Sequence, residues 1–214
     1  MKPIIIAASL ALLNLGIARV SAQPLEESLK HAFIRFDTAL SRSSIMAGTS
    51  DLDALAVKYP DKWASHFYSA YAHIKNSFGI TDKSQRDQSI DGAEAALNKA
   101  ERLSPNDEEI FILRAWCAKA RMAVDPQDRW KKCNALYDDA IAKAKKINAE
   151  NPRIYFLDGQ GYFYKPKIWG GGKDKARARF QKAKQLFAKE YKGDILRPSW
   201  GEKVNEEFLA KCND

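Results

Sequence analysis

Five large apolar residues, Trp63, Phe67, Tyr71, Ile74 and Phe78, recur at spacings of three and four. That period is helical, and it sets all five on one side of a helix. So broad an aromatic stripe must be covered by a second element. A shelf for a ligand is the other use of such a stripe, but this periodicity is the ordinary mark of burial. The cover follows in the chain. Ile90 to Leu103 reads as a helix with Ala93, Leu97 and Ala100 on one face and Pro105 behind it. Small residues let two helix axes approach closely, and the large one between them fills the groove. The segment between the two helices, Thr81 to Asp87, reads as a polar connection.

The arrangement recurs twice. Phe111, Ala115 and Ala118 lie at helical spacing after Pro105, Asp125-Pro126 ends that helix, and Ala140, Ala144 and Ile147 follow on a helix from about Gln127 to Ala149. Tyr155, Gly159 and Tyr162 then precede Ala176, Phe180 and Ala183, with the loop Lys165 to Lys173 between them. Small residue, large residue four later, small residue three later and a proline behind: from Trp63 to Phe187 the chain resembles the tetratricopeptide repeat family. The units here run longer than that family's usual length of about 34 residues. The resemblance implies an all-α fold, a TPR-like α-solenoid of stacked antiparallel helical hairpins. It also implies a non-enzymatic scaffold whose concave face takes a protein or peptide partner.

The ends follow the same logic. Leu29, Phe33, Phe36 and Leu40 predict a helix from Pro24 to about Ile45. Gly48-Thr49-Ser50 is expected to break it, and Ser50 or Asp51 to cap a short helix that Pro60 ends. After Tyr191 a turn from Gly193 to Gly201 leads to a last helix with Val204, Phe208 and Leu209. It would cover the open side of the final hairpin, as the terminal unit of a repeat array requires. The expected organisation is a targeting segment over 1–22, an N-terminal helix pair over 23–60, about three hairpins over 61–192, and a linker with a capping helix over 193–214.

Lys2, the apolar run Ile4 to Ile17 and the small residues Val20-Ser21-Ala22 form that targeting segment. The run is too short for a stable membrane span and suits a cleaved signal peptide, with Gln23 as the new N-terminus. The expected location is periplasmic or secreted. Cleavage leaves 33 basic and 27 acidic residues, a charge of +6 where the whole chain has +8. In an oxidising compartment the three cysteines allow one disulfide. Cys117 reads as a buried hydrophobe among apolar helix residues, and a Cys133–Cys212 bridge stays open because sequence does not fix its geometry.

No catalytic constellation is visible, and the chain reads as a non-enzyme. His31, His66 and His73 are too few and too scattered for a metal site, so no metal and no cofactor are expected. Gly170-Gly171-Gly172-Lys173 lacks both the phosphate-loop pattern and its preceding strand, and reads as a turn with Asp174 capping the next helix. Lys173 to Lys192 holds eight basic residues against Asp174 and Glu190. Such a face serves solubility or an acidic partner, and export argues against nucleic acid. The third hairpin joins the longest loop, the densest aromatics and this basic face. Arg153, Tyr155, Asp158, Gln160, Tyr162, Trp169, Lys173, Arg177, Arg179 and Lys182 are therefore the candidate binding residues. They would serve a partner protein or, in the alternative reading, a small ligand of a periplasmic binding component.

Overall fold

The computed structural model describes residues 24–213. The expected targeting segment over 1–22 therefore lies outside the described residues. Among these there are nine α-helices and one short 3-10 turn, with no strand. In chain order the helices are α1 (Leu25–Asp37), α2 (Arg42–Lys58), α3 (Trp63–Ser77), α4 (Lys83–Leu103), α5 (Glu108–Val124), α6 (Pro126–Ile147), α7 (Pro152–Tyr164), α8 (Lys173–Phe187) and α9 (Glu202–Lys211). They pack as consecutive pairs: α1 with α2, α3 with α4, α5 with α6 and α7 with α8. The first helices α1, α3, α5 and α7 also touch one another in sequence, which stacks the pairs into one array. Helix α9 packs on α8 and covers the last pair. Among the described residues no helix is long and apolar enough to cross a membrane.

The small–large–small pattern is buried in α4 and α8 but fails at the end of α6, where Ile147 is 43% exposed. Ala93, Leu97 and Ala100 are fully buried in α4, as are Ala176, Phe180 and Ala183 in α8. At Gly159 of α7 a Cβ would lie 2.6 Å from the Phe180 ring, so only glycine admits the ring at that crossing. Phe67, Tyr71 and Ile74 are buried in the core, while Phe78 stays half exposed at the helix end and stacks on Trp116 at 5.9 Å.

Several local expectations give way: α1 ends at Asp37 rather than near Ile45, and Leu40 lies beyond it, exposed to solvent. Gly48 does not break a helix. The chain turns earlier, where Ser41 caps α2 by accepting the Ser44 N–H, and Gly48 sits inside α2 against Phe36, whose atoms a Cβ would meet at 3.0 Å. Helix α4 begins at Lys83, not at Ile90. Asp82 accepts the Gln85 N–H at 2.8 Å, and the polar first turns are held from outside rather than by apolar burial. Arg86 donates to the Ala123 carbonyl, and Asp87 is gripped by Arg121 and Arg129 at 2.8 and 2.6 Å. The guanidinium of Arg129, then that of Arg121, holds the Asp87 carboxyl at about 2, below the usual carboxylate range. Asp174 does not cap α8. The N-cap is Gly172, at φ +113°, a backbone region that side chains avoid, and its N–H donates to the Tyr162 carbonyl at 2.8 Å. Cys117, Cys133 and Cys212 are all free thiols and all buried.

Candidate functional site

The face made by α3, α5 and α7 is where a repeat scaffold would offer room to a peptide. Here the chain itself fills it. Residues 188–201 return from α8 across these helices. Tyr68 donates its hydroxyl to the Ile195 carbonyl at 2.7 Å, and Arg153 donates to the Pro198 carbonyl at 2.7 Å. The Trp200 indole stacks on Trp116 at 5.0 Å and meets Tyr71 at 5.4 Å, while its N–H donates to Glu109 Oε2 at 3.2 Å.

Arg153 is the centre of this clasp. Its side chain is fully buried, 3.0 Å from Glu109 Oε1 and 2.6 Å from Glu190 Oε1, and its guanidinium lies over the rings of Phe187 and Trp200. Asn151 donates a further hydrogen bond to Glu109. Burial pushes the Glu109 carboxyl up to about 7, against the pull of the Arg153 charge and the Asn151 hydrogen bond. A residue singled out in the sequence as a ligand contact thus holds the C-terminal segment in place.

The other nine candidates spread over the α7–α8 hairpin. Tyr155 donates to the Ala149 carbonyl and lies under Lys182. Asp158 pairs with Arg179 at 2.8 Å, and Tyr162 lies beneath both Arg179 and Lys175. Gln160 is half-buried on the same helix. Arg177 turns away to Asp174 and the C-terminal Cys212 and Asn213. Trp169 and Lys173 are exposed at the loop. Tyr155, Asp158, Tyr162, Arg179 and Lys182 are therefore brought together, as a surface of one ion pair and two cation–ring contacts. None of the ten residues lines either hollow described next.

The first hollow, of about 620 Å³, lies between α2 and α4 over α3. Its size falls in the range of about 300–1,000 Å³ usual for small-molecule sites. Small residues create it: Ala56 of α2 faces Gly92, Ala95 and Ala96 of α4. Val57, Pro60 and Leu103 extend the apolar wall, with Val57 80% and Leu103 43% exposed. Lys99 and Arg102, one turn apart on α4, supply two cations, and neither has an ion-pair partner among the described residues. On the α3 side stand His66 and His73. His66 Nε2–H donates to the Pro60 carbonyl at 3.0 Å, and His73 Nε2 lies 3.1 Å from Asp53 Oδ2. Gly92 makes room for the His73 ring, which a Cβ would meet at 2.9 Å. The slot is apolar along α2 and α4, polar where Asp53, Ser69 and the histidines stand, and cationic at Lys99 and Arg102, so a flat apolar molecule with carboxylates at the cationic edge suits it.

The second hollow, of about 720 Å³, opens beside the clasp. Asp107, Glu108, Glu109, Glu150, Glu190 and Asp194 line it against Lys189 and Arg197, so it is unsuited to an anion. Among the described residues no group of three or more His, Cys, Asp or Glu is placed to hold a metal ion.

The structure is similar to that of the HusA haemophore from Porphyromonas gingivalis, with a TM-score of 0.76 and 32% sequence identity over 89% of this chain and 93% of that one. The chain belongs to the HusA family. A TPR protein from Thermus thermophilus is also similar, with a TM-score of 0.59 and 15% identity over 89% of this chain and 82% of that one. That likeness establishes the TPR-like fold alone. No protein-family model matches the chain, nor does any curated protein. The similarity to HusA spans 89% of this chain.

Proposed function

We propose that this protein is an exported, non-enzymatic haem carrier that seats the porphyrin in the groove between α2 and α4. The observation that carries the reading is kinship with a haemophore at 32% identity across 93% of that chain. The groove supports it chemically. Haem is a flat apolar ring with two propionates on one edge. Ala56, Val57, Pro60, Ala95, Ala96 and Leu103 match the ring, and Lys99 and Arg102 match the two carboxylates. Both histidines already engage their Nε2 atoms with Pro60 and Asp53, so affinity rests on apolar burial and on charge. Residues 1–22, read as a signal peptide, support export. The targeting segment, the carrier fold and the groove together favour a small ligand over a peptide, because residues 188–201 occupy the face a peptide would use.

Titration of haem into the purified protein, followed by the Soret band, tests this reading. Saturable binding of one haem per chain is expected. Lys99→Glu with Arg102→Glu should weaken it by about tenfold, because two exposed attractions of up to about 1 kcal/mol each become repulsions. An unchanged affinity in that variant contradicts the site, and an absence of saturable binding contradicts the function.

A further inference from the structure

The loop from α7 to α8 lines neither hollow, yet among the described residues it carries a conspicuous apolar projection. Its 3-10 turn, Lys167–Trp169, holds Ile168 and Trp169 outward, 85% and 67% exposed, with Tyr164 at 72% beside them. The turn is built rather than slack. Gly171 N–H donates to the Pro166 carbonyl, Gly172 N–H to the Tyr162 carbonyl and Lys175 Nζ to the Gly170 carbonyl. Gly170 and Gly172 adopt φ of +82° and +113°, which glycine alone enters freely. These hydrogen bonds and the two glycine conformations together keep an indole and a branched alkyl chain in water.

Cations surround them. Between Tyr164 and Arg177 the chain carries Lys165, Lys167, Lys173, Lys175 and Arg177 against Asp174 alone. Asp174 is shared by Lys167 and Arg177, at 3.8 and 3.3 Å. Lys165 and Lys173 have no ion-pair partner among the described residues. Tryptophan favours the boundary between lipid and water, and lysines close to an anionic leaflet add attraction that salt screens. A protein partner would need a hollow shaped for two adjacent side chains on a protruding tip. A lipid surface takes them without any such shape.

We infer that this loop is a docking tip for an anionic lipid surface: Ile168 and Trp169 enter the interface while Lys165, Lys167 and Lys173 meet the lipid phosphates. Docking is peripheral and reversible, because two side chains and a few lysines provide far less than a spanning helix.

Co-sedimentation of the purified protein with vesicles tests this. With phosphatidylcholine containing about one quarter phosphatidylglycerol, binding is expected at low salt and loss of binding at high salt. Ile168→Ser with Trp169→Ser, and separately Lys165→Glu with Lys173→Glu, should each weaken it by about tenfold or more. All four positions are exposed, so helicity should be unchanged. The haem titration of both variants should match the unaltered protein, which keeps this proposal separable from the haem-carrier reading. Equal binding by the variants, equal binding to pure phosphatidylcholine, or no binding to either vesicle overturns it. Capture of an acidic protein by the loop without vesicle binding overturns it in favour of a protein partner.

Discussion

Arg153→Ala will lower the unfolding free energy by about 3–5 kcal/mol, the cost of leaving buried carboxylates without their cation. Arg153 is wholly buried and bonds Glu109, Glu190 and the Pro198 carbonyl at once. Removing it strands Glu109, which keeps only the Asn151 and Trp200 donors. It also releases residues 188–201 from the face of α3, α5 and α7. Urea unfolding measures the loss, and an increased emission change from Trp200 at low denaturant would report early release of the segment. Glu109→Gln should cost less, because an amide oxygen at the Oε1 position still accepts from Asn151 and Arg153 and only the Trp200 N–H loses its acceptor. A change below about 1 kcal/mol for Arg153→Ala would mean that the clasp does not hold the segment.

Ala95→Trp will reduce haem affinity by more than about tenfold, or about 1.4 kcal/mol, while leaving stability within about 0.5 kcal/mol. Ala95 is an exposed residue on α4 whose side chain forms part of the groove wall. An indole there projects into the hollow between α2 and α4 without entering the core, so it competes with the porphyrin for the same space. Charge reversal at Lys99 and Arg102 acts on the propionates, whereas this substitution acts on the ring. Loss of binding in both variants, with urea midpoints unchanged, separates a blocked site from an unfolded one.

Much of the fold is legible in the sequence because its packing is written in residue size. Ala93-Leu97-Ala100 and Ala176-Phe180-Ala183 mark the tight crossings, and Gly159 marks the place where Phe180 needs the missing Cβ. Gly48 misleads for the same reason. A glycine inside a helix against Phe36 and a glycine that ends a helix look alike until the neighbour is known. The start of α4 escapes an apolar pattern because polar bonds hold it, through Asp87 to Arg121 and Arg129 some 34 and 42 residues away.

The site is far less legible. Arg153 stands out in the sequence, but nothing local distinguishes an arginine aimed at a ligand from one clasped by Glu109 and Glu190. Lys99 and Arg102 look like any solvated helix face. What singles them out is the trough beside them, made by small residues of α2 and α4 that meet only in the folded chain. The run Gly92, Ala95, Ala96 ahead of Lys99 and Arg102 is the one local signal available, and it is also the signature of ordinary helix packing.

The most direct test of the groove is a methyl NMR titration with zinc protoporphyrin, which is diamagnetic and shifts nearby signals through its ring current. A porphyrin seated between α2 and α4 predicts the largest shifts at Ala56, Val57, Ala95, Ala96 and Leu103. Ile168 and the methyl groups of Ile154, Leu157, Ala176 and Ala183 in the α7–α8 hairpin would then remain unmoved. Shifts concentrated at the α7–α8 hairpin, with the α2 and α4 methyl signals unchanged, would contradict the groove as the haem site.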